Sequence, residues 1–552
     1  MKNKKTWVYA GLVTTAAIGM VLTGCAKEEK TTSTSTSSPS AAATPAAKGK
    51  VSITVYDRAK IPAEEGNFEK NRWVDYMNKN GPVDLTIVPV PRDKTIDKLN
   101  VLFASGSAPD IIVDYNAPDR STWYESKQLM PLNDMIDKYS TVYKQQLEKY
   151  PVLKKLGTRA DGKIYDIGAV RQGDINWMLW VRTDWLKKLN LEAPKTAEDM
   201  LKIAKAFVEQ DPDGNGKKDT YGMALGGFLN WKVADYMFGV PYNTNYQDQN
   251  SAFSVSWKNM QAATAFKKQL FDGGLVDKDF LTDQNGDKAK RDFINGKLGF
   301  YMTQRSEAQG VFESLRKNDP NAQVTPIALP STPNGQFSPA INTPFTMAGV
   351  VNAKAKDPKA VMQYIDFLNT EKTVKTLRWG TEGEHYKPNA NGCPVPTDAA
   401  KNTAERSWNA DYSILVSEES MMKCDPVLDL LDANNATQME YKKLVEAARK
   451  IYLNPSNPMP GSVIDLSLPS LPSELNTIVA SVNFDDELKK SVVTGNYSAD
   501  SVITNIQGTW TKAGGDKVDE FYNNWYKQNK TNAVSIKDVY DLLVQQQKQA
   551  GK

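Results

Sequence analysis

Three short apolar stretches separated by two helical patterns open the structured part of the chain, and this order constrains the fold more than any other feature. Val51 to Tyr56 reads VSITVY, alternating and rich in β-branched residues, and predicts a strand. A helix is predicted around Val74 to Asn80, then a second strand over Val83 to Val90 (VDLTIVPV). Lys94 to Ala104 puts Ile96, Leu99 and Phe103 on one helical face. After SGSAPD, Ile111 to Val113 predicts a third, buried strand. Strands alternating with helices imply a parallel sheet covered by helices, an α/β fold.

Comparable signals continue downstream. Gly162 to Ile167, Trp177 to Val181, Tyr221 to Leu225, Lys297 to Met302, Val324 to Leu329 and Phe345 to Val351 all read as strands. The best-marked helix runs from Thr196 to Gln210. Thr196 is its N-cap, Asp199 its capping-box partner, and Met200, Ile203, Ala204 and Phe207 form an apolar stripe. Helices are also expected at Thr183 to Lys188, Asp357 to Leu368 and Val518 to Lys527. Roughly 500 residues in such units imply at least two domains.

The N-terminus predicts an address. Lys2, Lys4 and Lys5 precede an apolar run from Trp7 to Leu22, too short to span a bilayer comfortably. It ends in Leu22-Thr23-Gly24-Cys25, which resembles the lipobox of bacterial lipoproteins. Residues 1–24 are therefore read as a leader and Cys25 as the lipidated first residue, carrying palmitate-type chains that anchor the protein to the outer face of a Gram-positive-type membrane. Residues 25–50, rich in Ser, Thr, Ala and Pro, are expected to form a disordered tether.

Charge and rare residues exclude several chemistries. With 68 basic and 65 acidic residues the net charge is +3, and no nucleic-acid footprint exists. The single histidine, His385, removes multi-histidine metal sites and would have to serve any His-dependent triad. Paired carboxylates, as in glycoside hydrolases, are not excluded by counting. Cys393 and Cys424 either form a disulfide or stay as two thiols, since spacing does not fix the Cα approach.

Several stretches in fixed order carry a resemblance: LFASGSAPDII from Leu102, LMPLNDMI from Leu129, DGKIY from Asp161, VRTDWLKKL from Val181, FINGKLGFY from Phe293, and RWGTEGEHY from Arg378. Together, behind a lipobox, they resemble the extracellular solute-binding lipoproteins of ABC importers, in particular the large oligosaccharide-binding, alginate-binding and LplA-like proteins of the family 1 type. The resemblance implies a two-lobed periplasmic-binding-protein-like fold of type II. Each lobe would be a mainly parallel sheet flanked by helices, with a hinge between the lobes. Residues 51–170 plus 343–411 are assigned to lobe one, and 171–342 plus 412–552 to lobe two. It further implies a monomer that catalyses no reaction, captures an oligosaccharide in the inter-lobe cleft and delivers it to a membrane permease. A surface sugar sensor and a carboxylate-dependent glycoside hydrolase are the alternatives.

Residues 211–222, DPDGNGKKDTYG, suggest a cofactor. Counting from Asp211 puts Asp211, Asp213, Asn215, the Lys217 carbonyl and Asp219 at the EF-hand positions 1, 3, 5, 7 and 9, with Gly216 at position 6. Position 12 holds Gly222 in place of the bidentate Glu, so a structural Ca²⁺ would need another oxygen, with Thr220 one candidate. The resemblance adds that the alginate-binding relatives carry a similar loop with a single helix. A polar turn without an ion is the alternative. TDQNGDKAKRD (282–292) lacks the alternate spacing and is read as a solvated helix start.

Sugar sites pair flat aromatics with acid, amide and Arg groups. The candidates are Asp57 and Arg58 after the first strand, Asp114 and Tyr115 after the third, Trp231 in a glycine-flanked loop, and Trp379 with Glu382. Trp73 and Trp185 are assigned to packing.

Overall fold

In a computed structural model, strand β1 (Gly49–Asp57) buries Val51, Ile53, Val55 and Tyr56. The structure describes residues 47–550 except 59–60, 242–245, 250–251, 426 and 496–497; the expected leader, Cys25 and most of the expected tether lie outside the described residues. Residues Lys48–Lys552 form one unit.

β1 pairs in parallel with β2 (Val83–Pro91) over its whole length and with β3 (Ile111–Val113) at Ile53. β4 (Asp166–Val170) follows, then the two-residue β5 (Asp174–Ile175) and β6 (Trp177–Arg182). Next come β7 (Tyr221–Met223), the hairpin β8 (Tyr246–Gln249) and β9 (Ala252–Val255), β10 (Leu298–Gln304), β11 (Val324–Pro326), β12 (Ile341–Asn342) and β13 (Phe345–Val351). One sheet has the order β2-β1-β3-β13-β4; a second has the order β11-β6-β10-β7. The helix Thr196 caps runs Ala197–Glu209, and its capping box is present.

The expectation of mainly parallel sheets is corrected. β13 runs antiparallel to both β3 and β4. In the second sheet only β10 and β7 are parallel; β6 is antiparallel to β10 and β11. The cause is that β13 returns to the first sheet after the whole second sheet has been built, and it inserts from the opposite direction.

The chain leaves the first sheet after β4 and re-enters it at β13. On the way out it forms β5 and on the way back β12, and these two strands pair with each other, Ile341 opposite Ile175. Helix Ile536–Gln549 clamps this crossing: Gln546 accepts from Gly173 N–H (3.1 Å) and donates to the Arg171 carbonyl (2.8 Å). A Cβ on Gly173 would sit 2.1 Å from the Leu543 side chain, so a larger residue there requires Leu543 to move. Residues 414–418 stay on the first sheet, beyond the expected boundary at 411. Ser417 Oγ accepts from Val170 N–H (3.1 Å) and Glu418 N–H donates to the Val170 carbonyl (2.9 Å).

Both faces of β6 are covered, which is why WMLWV reads as a continuous apolar run. Met178 and Trp180 join the core shared with the first sheet, while Trp177, Leu179 and Val181 pack in a second core with the C-terminal helices.

Candidate functional site

The carboxyl ends of β1 and β3 project side chains beyond the first sheet, the usual place for a ligand crevice in α/β proteins. Arg58, one residue past β1, binds Asp411 through two hydrogen bonds of 2.6 and 3.0 Å. Its side chain remains 42% exposed while that of Asp411 is 6% exposed, so the guanidinium faces outward from an anchored base. The pair raises the Arg58 pKa, chiefly through the hydrogen bond to Asp411.

Tyr115 follows β3 and is 39% exposed. Its ring stacks on Tyr56 at 6.0 Å, and its N–H donates to the Tyr56 hydroxyl (3.0 Å). That hydroxyl donates to Asp114 Oδ1 (3.0 Å), and Arg92 stacks on the Tyr56 ring at 4.6 Å. Burial raises the Tyr115 pKa; Arg171, Arg378 and Arg58 oppose the rise and Asp411 adds to it. Asp114 is buried, so it shapes the loop below Tyr115 and offers ligand little surface. Asp57 is half-buried at the end of β1.

Aromatic surface lies beside the corresponding end of the second sheet, on helix Gly227–Met237. β6 starts within seven residues of Val170, so that end lies at most about 25 Å along the chain from the end of β4. There Phe228, 44% exposed, meets the edge of Trp177 at 6.0 Å. Gln304 pairs with Trp177 at the carboxyl end of β10.

Other expected site residues lie elsewhere. Trp231 is a correction: it is in helix Gly227–Met237, fully buried, stacked on Phe280 at 6.1 Å with Lys267 Nζ 3.7 Å above its ring. The charged residues beside it are themselves buried, so the segment only looked like a surface loop. Trp379 is also corrected. It is 5% exposed and packs with Tyr386 against Cys393 and Cys424. Those cysteines are bonded, with Cα atoms 5.4 Å apart. Glu382 is exposed and lines a cavity of about 870 Å³ with Asp75, Lys79, Lys375 and Tyr386, on the helical layer and not at the strand ends. His385 is buried; Nδ1 accepts from Thr381 N–H and Nε2 bonds Glu405, both at 3.0 Å. Trp73 and Trp185 are buried packing residues, as expected.

Sequence reasoning missed Arg171, Arg378, Glu418 and Phe228. Arg171 directly follows a strand, as Arg58 does, so the rule that found Arg58 would have found it. Arg378 and Glu418 come from distant segments and carried no such signal.

In the 211–219 loop, carboxylate oxygens converge on one amide, which donates to both. Asn215 Nδ2 contacts Asp213 Oδ2 (2.7 Å) and Asp219 Oδ1 (3.0 Å). Asp211 accepts from the N–H groups of Gly214, Asn215 and Gly216, each at 3.1 Å. The Asp213 pKa is raised, by burial first and then by the neighbouring Asp211 and Asp219. The Asp211 and Asp219 pKa values shift the other way, down, that of Asp219 chiefly through its hydrogen bond from Asn215. Thr220 is corrected as a donor: it is buried and its hydroxyl binds the Phe207 carbonyl at 2.7 Å. At 282–292, Asp283 instead caps helix Asp287–Ile294, accepting from Lys288 and Ala289 N–H at 2.9 Å.

Residues 52–375 match the sequence profile of the family described as bacterial extracellular solute-binding protein. The polygalacturonan/rhamnogalacturonan-binding protein YtcQ of Bacillus subtilis (strain 168) is 25% identical over 96% of this chain and 100% of its own length. Lipoprotein LipO of the same organism is 25% identical over 70% of this chain and 74% of its own. Among solved structures, the S. pneumoniae ABC-transporter substrate-binding protein FusA in complex with kestose has a TM-score of 0.61 and 20% identity, covering 88% of this chain and 100% of that one. An EF-hand mutant of FusA in complex with fructo-nystose gives the same values.

Proposed function

The chain belongs to the bacterial extracellular solute-binding proteins, and from that premise we propose that it captures an oligosaccharide between its two sheets and delivers it unaltered to an ABC permease. The observation that carries this reading is the exposed Tyr115 ring set among Arg58, Asp411 and Arg171 at the strand ends, with exposed Phe228, on helix Gly227–Met237, against Trp177 of the second sheet. Flat rings bind the C–H faces of sugars and charged groups bind their hydroxyls. The names of the relatives YtcQ and FusA support the ligand class but differ in the sugar. The β5–β12 ribbon is the hinge in this reading, with 49–170 and 345–418 on one side of it. Closure brings both faces onto the ligand, and binding shifts the population toward the closed form.

Calorimetric titration with oligosaccharides tests this. Phe228→Ala is expected to weaken the best ligand by roughly tenfold or more, the scale of losing one stacked ring at about 1–1.5 kcal/mol. Tight binding in the parent with unchanged affinity in the variant rejects this ring as part of the site.

We also propose that Asp211, Asp213, Asn215, Asp219 and the Lys217 carbonyl hold a structural Ca²⁺. The FusA EF-hand and the convergence of Asp213 and Asp219 on the Asn215 side chain support this. Bound Ca²⁺ pins the end of helix Ala197–Glu209 to β7. A hundredfold excess of Ca²⁺ over its Kd should stabilise the protein by about 2.7 kcal/mol. Chelation should reverse that gain, and Asp213→Asn should abolish it. A melting temperature indifferent to chelator removes the ion from the account.

Anchoring through a lipidated Cys25 completes the proposal. The lipoprotein relative LipO supports it, and among the described residues no helix is long and apolar enough to cross a membrane.

A further inference from the structure

Four charged side chains meet where the chain crosses between the sheets. Asp174, in β5 of the crossing ribbon, accepts two hydrogen bonds from Arg449, at 2.7 and 2.5 Å. Arg449 Nη2 also lies 2.6 Å from Asp425. Arg449 belongs to helix Ala436–Tyr452, which is fastened to the second sheet: the Tyr452 hydroxyl accepts from Leu179 N–H (3.0 Å) and donates to the Ile327 carbonyl (2.5 Å). Asp425 is fastened to the other side. It follows Cys424, which is bonded to Cys393, and its carboxylate accepts from Val427 and Leu428 N–H at 3.0 and 2.8 Å. The fourth charge, Arg305, stands at the carboxyl end of β10, and its N–H donates to the Asn176 carbonyl at 2.8 Å. Arg305 is buried but poorly served. Among the described residues its guanidinium makes one hydrogen bond, from Nη1 to the Tyr441 hydroxyl at 3.0 Å. Nε has no acceptor and lies 3.9 Å from Asp174, and Nη2 lies 3.8 Å from Asp425. Both separations are too long for a hydrogen bond, and a shift of about 1 Å would make each of them one. A buried donor left unpaired is a cost that another arrangement of the same groups removes.

We propose that Arg305 is a closing latch: as the carboxyl ends of the two sheets swing together about the β5–β12 ribbon, its guanidinium leaves the Tyr441 hydroxyl, closes onto Asp174 and Asp425, and holds the ligand-bound form. Arg449 is the pivot, bonded both to the ribbon and to Asp425. Arg305 and Asp425 are carried by opposite sides of the crossing, so rotation changes their separation while the Arg449 bonds persist. Two acids and two guanidiniums balance, so the latch needs no outside ion. Closing satisfies the idle Nε, and that gain offsets part of the cost of ordering the crevice around a ligand. This inference rests on the hinge in the proposed function, and the identity of the sugar does not enter it.

Small-angle X-ray scattering of the unliganded chain, with calorimetric titration by kestose and by trigalacturonate, tests this. Tyr441→Phe removes the present acceptor of Arg305 and leaves every charge in place. Its unliganded radius of gyration should fall below that of the parent, and adding Arg305→Met should cancel the fall. Arg305→Met alone should weaken whichever sugar binds by roughly tenfold, because the closed form becomes less populated. Arg305→Lys should weaken it less. An unchanged radius of gyration in Tyr441→Phe overturns the latch, and it is the deciding reading if Arg305→Met folds poorly. Parent affinity retained in Arg305→Met also overturns the latch, while the oligosaccharide reading stands. If neither sugar binds the parent and the radius still falls in Tyr441→Phe, the latch stands and the oligosaccharide reading fails.

Discussion

Replacing Asp235 with alanine is expected to cost about 3–5 kcal/mol, the usual result of stripping one partner from a buried ion pair. Asp235 lies in helix Gly227–Met237 and holds two ammonium groups, Lys267 at 2.5 Å and Lys232 at 3.1 Å. Lys267 is fully buried, over the face of Trp231. Lys232 has a second acid, Asp485 at 3.2 Å, whereas among the described residues Lys267 forms an ion pair with Asp235 alone. Burial already lowers the Lys267 pKa, even with Asp235 present. In the variant the lysine must lose its proton to stay inside. Its folded pKa then lies far below its unfolded value, so the unfolded chain binds more protons and stability rises with pH. Melting curves of Asp235→Ala should therefore recover between pH 7 and pH 9 relative to the parent. Adding Lys267→Met should restore much of the loss. A variant within about 0.5 kcal/mol of the parent at pH 7 contradicts this picture.

Asp166→Ala should cost a similar amount, but without recovery at high pH. Asp166, in β4, is buried and binds Arg120 at 2.6 Å and Arg159 at 2.7 and 2.8 Å. Arg120 is equally buried. A guanidinium does not lose its proton in this range, so no neutral form relieves its burial. A loss of about 3–5 kcal/mol that stays constant from pH 7 to pH 9 is expected. Arg120 Nη1 also donates to the Asp114 carbonyl (2.5 Å), so Asp166 braces the turn that carries Tyr115. Ligand affinity should fall along with stability. Urea denaturation at two pH values and titration of the surviving folded fraction check both effects. A pH-dependent rescue like that of Asp235→Ala contradicts the assignment.

These networks explain where the sequence was readable. β1, β2 and β3 were legible because their alternation and β-branched content are local properties. So was helix Ala197–Glu209, whose cap, companion and stripe lie within thirteen residues. The direction of β13 was not, because its partners lie more than 170 residues earlier and hydrophobicity does not encode direction. Trp231 was misread for a physical reason: Lys232 and Asp235 neutralise each other in the interior, which disguises a buried helix as a polar segment. Arg58 and Tyr115 were legible because each lies within two residues of the end of a strand of the sheet. Arg378 and Glu418 arrive from helix Glu371–Trp379 and a later loop, and only the tertiary fold brings them to that edge.

Closure of a hinged pair of sheets on a sugar that is later released unchanged should be visible in small-angle X-ray scattering of the soluble chain, with and without a ligand shown by calorimetry to bind. The radius of gyration should fall at saturation, return after dilution, and leave the recovered oligosaccharide with its original mass. A bound sugar that leaves the scattering curve unchanged, or one recovered in shorter pieces, contradicts the claim.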